Sequence, residues 1–168
     1  MSMSLALAGE KDIKDLYDLQ KWSFQPLLQK YGDYMTNPAS EPMEMVRTRQ
    51  EWKNTDYYFI LLDGKHIGAI RVYVFKDYCR LSLICILPYY QDNGYAQAAM
   101  RMLEERYPKI HRWELETIKE ESKLCYFYEK LGYRPTGIKK KLGLRMTLIE
   151  YEKIMENTEK EKKGHGNL

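Results

Sequence analysis

Gln91-Asp92-Asn93-Gly94-Tyr95-Ala96 is the stretch of this 168-residue chain whose residue types and spacing point most directly to chemistry. Ahead of it, Leu81 to Leu87 is a continuous apolar run closed by Pro88, the pattern of a largely buried strand. Behind it, Ala96 to Glu104 combines strong helix formers with an apolar face. A strand, a short polar loop with glycine and a helix leave backbone N–H groups at the helix start without intrahelical partners. Such a helix start binds anions, phosphates above all. The stretch therefore predicts a phosphate-bearing ligand.

Other reactive residue types are sparse. The three cysteines, Cys79, Cys85 and Cys125, are an odd number without Cys-x-x-Cys spacing, which suits reduced core thiols. His66, His111 and His165 are isolated from other ligand types, so no metal site is expected. The 15 tyrosines suit half-buried positions in a small core, and flat amphipathic pocket walls as well. A net charge of +3 with mixed signs argues against a nucleic-acid partner, and the densest basic run, Lys139-Lys140-Lys141, reads as a solvated turn. No apolar stretch reaches the ~20 residues of a membrane span, and the start lacks a signal-peptide pattern, so a cytoplasmic, non-membrane protein is expected.

The elements that must hold the loop follow from periodicity. A first strand is expected near Met3–Ala8 and a helix from Glu10 to Lys30, kinked or broken at Pro26. Asn37-Pro38 and Glu41-Pro42 mark a loop before a second helix that runs to about Lys53. Strands at Tyr57–Leu62 and His66–Phe75 flank an Asp63-Gly64 turn, and a third strand ends at Leu87. The Gly94 helix should reach Tyr107, ahead of Pro108. Then come a strand at His111–Ile118, a helix at Glu120–Leu131 capped by Gly132, and strands at Tyr133–Ile138 and Leu142–Tyr151. The fold class is α/β (α+β): one domain over 1–155, with a mixed, mostly antiparallel twisted sheet of about seven strands and helices on both faces. The Glu/Lys-rich 156–168 is expected to be a disordered tail.

Two motifs in this order of elements resemble the GNAT superfamily of N-acetyltransferases. Gln91-x-x-Gly94-x-Ala96 is similar to that family's acetyl-CoA loop, and Phe127-Tyr128-Glu129-Lys130-Leu131-Gly132-Tyr133 looks like its second signature segment. The resemblance covers residues 57–138 well and the N-terminal helices in outline. It implies a GNAT-like domain whose co-substrate is acetyl-CoA. The pyrophosphate would lie on the amides of Gln91, Asp92, Asn93, Gly94, Tyr95 and Ala96. The pantetheine arm would pair with the backbone of Ile84, Cys85 and Ile86, where that strand splays from the next. The Ile86 N–H would meet the thioester carbonyl, and Tyr128 would be the general acid beside the departing thiolate.

The sequence departs from the family in two places. The strand before the loop offers Arg80, Leu81, Ser82, Leu83 and Ile84, with no carboxylate or imidazole to act as base. Glu114 or Glu116 on the next strand, acting through water, is the alternative, unless the amine arrives neutral; equally, both are ordinary solvated carboxylates. Glu121 stands where the family often has an asparagine that contacts pantetheine, and neighbouring Ser122 would take over that contact.

The resemblance bounds the acceptor by the N-terminal helices, with Trp22, Phe24, Tyr31, Asp33 and Tyr34 as candidate contacts. Aromatic walls with scattered carboxylates suit a small-molecule or peptide amine. The expected function is acetyl transfer from acetyl-CoA to a primary amine in a ternary complex. The rival is an acyl-CoA sensor or interaction module with weak or no catalysis. A homodimer through the C-terminal strand is a further expectation.

Overall fold

The computed structural model describes residues 2–156; the expected tail, apart from Glu156, lies outside the described residues. Seven strands form one sheet in the order β1-β2-β3-β4-β5-β7-β6. The strands are β1 (Met3–Leu7), β2 (Thr55–Leu62), β3 (Lys65–Val74), β4 (Tyr78–Ile86), β5 (Arg112–Ile118), β6 (Arg134–Leu142) and β7 (Met146–Ile154). Neighbours run antiparallel except β4 and β5, which are parallel and joined by a helical crossover. The helices are α1 (Ile13–Tyr31), α2 (Met43–Glu51), α3 (Tyr95–Glu105) and α4 (Ser122–Lys130). This is the α+β arrangement that the periodicity predicts.

The two sheet faces have separate cores. Ile13, Leu16 and Leu19 of α1 and Val46 of α2 pack on Tyr57, Phe59, Ala69, Leu83 and Cys85. Ala99, Met100 and Leu103 of α3 and Tyr128 of α4 pack on the opposite face with Tyr58, Ile60, Ile70, Trp113 and Leu115. The apolar residues of α3 fall at the i, i+1, i+4 spacing of one helix face, which is why it lies flat on the sheet.

Several boundaries differ from the sequence reading for physical reasons. α1 runs without a break through Pro26, which sits exposed on its outer face while residues on either side, Leu19 and Leu28, are buried. The proline removes one helix donor, and packing on both flanks outweighs that loss. The Lys139-Lys140-Lys141 run belongs to β6, not to a turn; the reversal comes at 143–145. The C-terminal strand β7 is interior, between β5 and β6, so it offers no edge for a second subunit. The edge at this end of the sheet is β6, and its lysines oppose strand pairing there.

One register shift matters for function. Arg71 pairs with Leu83 but Val72 pairs with Leu81, so Ser82 is an extra residue, a β-bulge in β4. The bulge switches faces: Cys79 and Leu81 belong to the α3/α4 side, Leu83 and Cys85 to the α1/α2 side.

Candidate active site

Just above the bulge the sheet forks. β4 and β5 are paired only from Tyr78↔Arg112 to Arg80↔Glu114. Beyond that point β5 continues along β7, and β4 keeps only its β3 side. The Leu87 N–H donates to the Ile67 carbonyl at 2.8 Å. By the alternation of an antiparallel ladder, Cys85 and Leu83 also turn their backbone groups to β3. The amides of Ile84 and Ile86 therefore face the gap. Cys85, expected to pair with the pantetheine arm, does not face the gap: its backbone serves the β3 ladder and its buried thiol faces α1. β3 comes unusually close at this level, since a Cβ on Gly68 would lie 2.1 Å from the Cys85 carbonyl oxygen.

The phosphate-loop candidate lies at the end of the open edge. Gln91 Nε2 donates to the Ile86 carbonyl at 2.8 Å, and Asn93 Nδ2 donates to the Gln91 carbonyl at 2.8 Å. These side chains brace the loop, leaving anion contacts to the backbone. Asp92 and Gly94 adopt left-handed conformations, φ 62 and φ 79, so the loop turns sharply into α3. α3 starts at Tyr95 without a side-chain cap, and its first backbone bond runs from the Ala98 N–H to the Gly94 carbonyl at 3.1 Å. Among the described residues, the amides of Ala96 and Gln97 have no acceptor.

Tyr128 lies on the α3/α4 side, buried, its ring edge-on to Phe127 at 4.9 Å and to Tyr133 at 6.0 Å. Burial alone pushes its hydroxyl above the ordinary tyrosine value. Among the described residues nothing hydrogen-bonds that hydroxyl. Ser122 opens α4 at the same end of the gap.

Glu121, the residue before α4, is engaged across the gap. Its Oε1 accepts from Lys30 Nζ at 2.6 Å and from the Tyr31 hydroxyl at 2.7 Å. Burial raises the Glu121 pKa, but these bonds and the Lys30 charge outweigh burial and bring it below its ordinary value. The C-terminus of α1 is thus tied to the start of α4. Arg145, in the β6–β7 turn, donates to the Tyr31 carbonyl at 3.5 Å.

The candidate acceptor residues do not form one wall. Tyr31 and Asp33 line a cleft of ≈ 480 Å³ with Met35, Thr36, Leu144 and Arg145, between the α1–α2 loop and the β6–β7 turn. Met35 at 93% and Leu144 at 94% exposure give this cleft an apolar rim. Trp22 lines a separate groove of ≈ 310 Å³ with Asp15, Asp18, His66 and Leu87. Phe24 packs against the α1/α2-side core, and Tyr34 is exposed.

Glu114 and Glu116 share a face at the fork, as alternation predicts, and both are held by arginine. Arg80 reaches Glu114 at 3.0 Å and Glu116 at 3.2 Å, and Arg112 adds a 2.8 Å contact to Glu114. Both oxygens of Glu114 are thus taken up by guanidinium groups, whereas Glu116 meets one. On the α1/α2 face, the buried Arg71 donates from Nε to Ser82 Oγ at 2.8 Å and from Nη1 to the Tyr57 hydroxyl at 2.7 Å. Neither the Ser82 bulge nor the Lys30–Glu121 clasp is signalled by the sequence. Arg71 is at least visible as a charge inside an apolar strand, Ile67 to Val74.

A model of the acetyltransferase (GNAT) family matches residues 13–133, most of the chain and all of the site's central elements. The chain belongs to that family. This GNAT chain is accordingly an enzyme of the acyltransferase class. It is similar in fold to the ribosomal-protein-S18-alanine N-acetyltransferase of Escherichia coli, with TM-score 0.75, 15% identity and coverage of 93% of this chain and 96% of that one. An acetyltransferase from Thermus thermophilus gives TM-score 0.72 and 17% identity over 92% and 98% of the two chains. The PaiA N-acetyltransferase of Thermoplasma acidophilum, solved in complex with coenzyme A, gives TM-score 0.67 and 14% identity over 92% and 99%. A search of curated proteins found no match. Among the described residues of this GNAT domain, no cluster of metal-ligating side chains occurs and no helix is long and apolar enough to cross a membrane.

Proposed function

We propose that this GNAT chain moves the acetyl group of acetyl-CoA to a primary amine by direct attack in a ternary complex. The observation that carries the reading is the fork: two strand amides, of Ile84 and Ile86, face a gap whose end is the Gly94 loop. A pantetheine arm is an extended chain with two amides, and it can pair along such an edge as a strand would. Its pyrophosphate then meets the amides of the loop and of the first turn of α3.

In the reaction, the amine nitrogen attacks the thioester carbon and negative charge develops on the carbonyl oxygen. A strand N–H of the open edge, from Ile86 or its outward-facing neighbour Ile84, stabilises that charge. The C–S bond then breaks and the thiolate leaves. Tyr128 is the donor to the sulfur. Because burial raises its pKa, its hydroxyl stays protonated in the ground state and acts mainly by donating a hydrogen bond as charge builds on sulfur. The amine proton passes to water. Of the two strand carboxylates, Glu116 joins one arginine and its side chain is 38% exposed, so it is the better relay.

The test is free-thiol release from acetyl-CoA across an amine panel, beside coenzyme A binding by calorimetry. Tyr128→Phe should lower kcat by about 10²-fold with coenzyme A affinity unchanged. It should not destabilise the fold, because the hydroxyl it removes has no partner among the described residues. Unchanged kcat in Tyr128→Phe refutes the acid role. Tight coenzyme binding with no thiol release from any amine favours the sensor reading instead.

A further inference from the structure

Arg71 is the most buried arginine around the fork, at 5% exposure, and among the described residues it has no carboxylate partner. Arg49, Arg80 and Arg112 are more exposed, and each meets an acid. The partners of Arg71 are neutral: the Ser82 and Tyr57 hydroxyls, with its guanidinium 5.6 Å from the Tyr57 ring centroid. Glu41, the acid that acts electrostatically on Tyr57, is already bound by Arg49 and Gln20. Among the described residues Nη2 has no partner, and it is not sealed from solvent.

A buried cation is expected to be paired, because the interior charges a heavy desolvation cost for one that is not. Here the neighbourhood is unfinished in other ways too. Among the described residues, Gln20 Oε1 and Arg49 Nε, both on the α1/α2 side, are sealed polar atoms without partners. The group that completes Arg71 should be an anion that enters from this side.

The position indicates where that anion comes from. Ser82, which holds Nε, is the bulge residue two places before Ile84, so the guanidinium lies about 7 Å along β4 from an outward-facing amide of the open edge. It lies on the face covered by α1 and α2, opposite the one that carries Tyr128. We propose that Arg71 binds a carboxylate of the acceptor, so that the enzyme acts on amino carboxylates, with amine and carboxylate a few bonds apart. Nη2 and the second N–H of Nη1 form the planar fork that a carboxylate fits. Tyr57 and Ser82 hold that fork in place. This inference rests on the acetyl-transfer reading.

The experiment measures thiol release from acetyl-CoA with glycine, L-methionine and L-phenylalanine, each beside its carboxamide, and with spermidine as an amine without carboxylate. A site built around a buried guanidinium should favour the free carboxylate over its amide by about 10-fold or more in kcat/KM, mostly through KM. Arg71→Lys keeps the charge but loses the fork. Its carboxylate-to-amide ratio should fall toward one while coenzyme A affinity stays unchanged, a split that a purely structural arginine would not give. If the variant does not fold, the wild-type comparison decides alone. Amides or spermidine used as well as the carboxylates overturn the Arg71 assignment and leave acetyl transfer standing. A preference that persists in Arg71→Lys also overturns it. No release with any probe, coenzyme A still binding, fails the acetyl-transfer reading and this inference with it.

Discussion

Replacing Gly68 by alanine tests how the open edge of β4 is positioned. The added Cβ would sit 2.1 Å from the Cys85 carbonyl oxygen, whereas ordinary contact begins at 3.4 Å, so the strands must part by about 1.3 Å. The obstructing atom is backbone, held in the β3–β4 ladder, and cannot rotate away as a side chain would. Overpacking of this kind costs about 1–3 kcal/mol, and one weakened ladder bond adds about 1 kcal/mol. Alanine recovers about 0.4–1 kcal/mol by restricting the unfolded chain. The expected net loss is about 1–4 kcal/mol in urea unfolding. Because Ile84 and Ile86 sit on the same strand, their amides shift too, and a misplacement of about 1 Å can cost about 10²-fold in kcat/KM. Stability within about 0.5 kcal/mol of wild type, with turnover intact, would refute the close approach as the device that sets this edge.

Three further outcomes are expected. In Gly94→Ala the new Cβ meets nothing within 4 Å, so only the left-handed φ of +79 is penalised, by about 1–2 kcal/mol, and coenzyme A binding should weaken with it; calorimetry and urea unfolding read both. Glu121 has a folded pKa below its unfolded one, so its stabilisation is complete above the ordinary carboxylate range and vanishes as pH falls through the lowered value. Thermal midpoints should therefore drop on acidification more in wild type than in Glu121→Gln, and parallel acid profiles would count against the clasp. Burial, with a smaller push from Asp56, raises the Cys79 thiol to about 12, and burial raises Cys85 to about 11, so a disulfide reagent at pH near ~8 should label Cys125 first and the other two only on unfolding.

The parts legible in the sequence are those in which local chemistry and packing agree. The β4–loop–α3 unit is readable because an apolar run, a glycine needing positive φ and a helix-forming stretch each allow one local structure. The Asp63-Gly64 hairpin and the Gly132 turn are readable for the same reason. Pro26 misleads because it is a local signal, and the contacts that hold α1 straight through it come from elsewhere in the chain. The face switch at Ser82 leaves no trace, since a bulge keeps the apolar count and changes only the register. Glu121 reads in sequence as a lost pantetheine contact. Its bonds to Lys30 and Tyr31, some 90 residues away in the chain, are tertiary information.

The fork also bears on what else this molecule can join. A bare strand edge on the outside of a sheet is open to any extended chain, including another copy of the protein. Here the bare edge of β4 lies inside the sheet, in a wedge that closes at Arg80 and Glu114. Strands need about 4.8 Å on each side, together with room for side chains above and below. A wedge narrowing to a paired end admits one slender, unbranched chain of amides and turns a second sheet away. The enzyme thus keeps a permanently unfinished ladder without the hazard of aggregation that usually accompanies one.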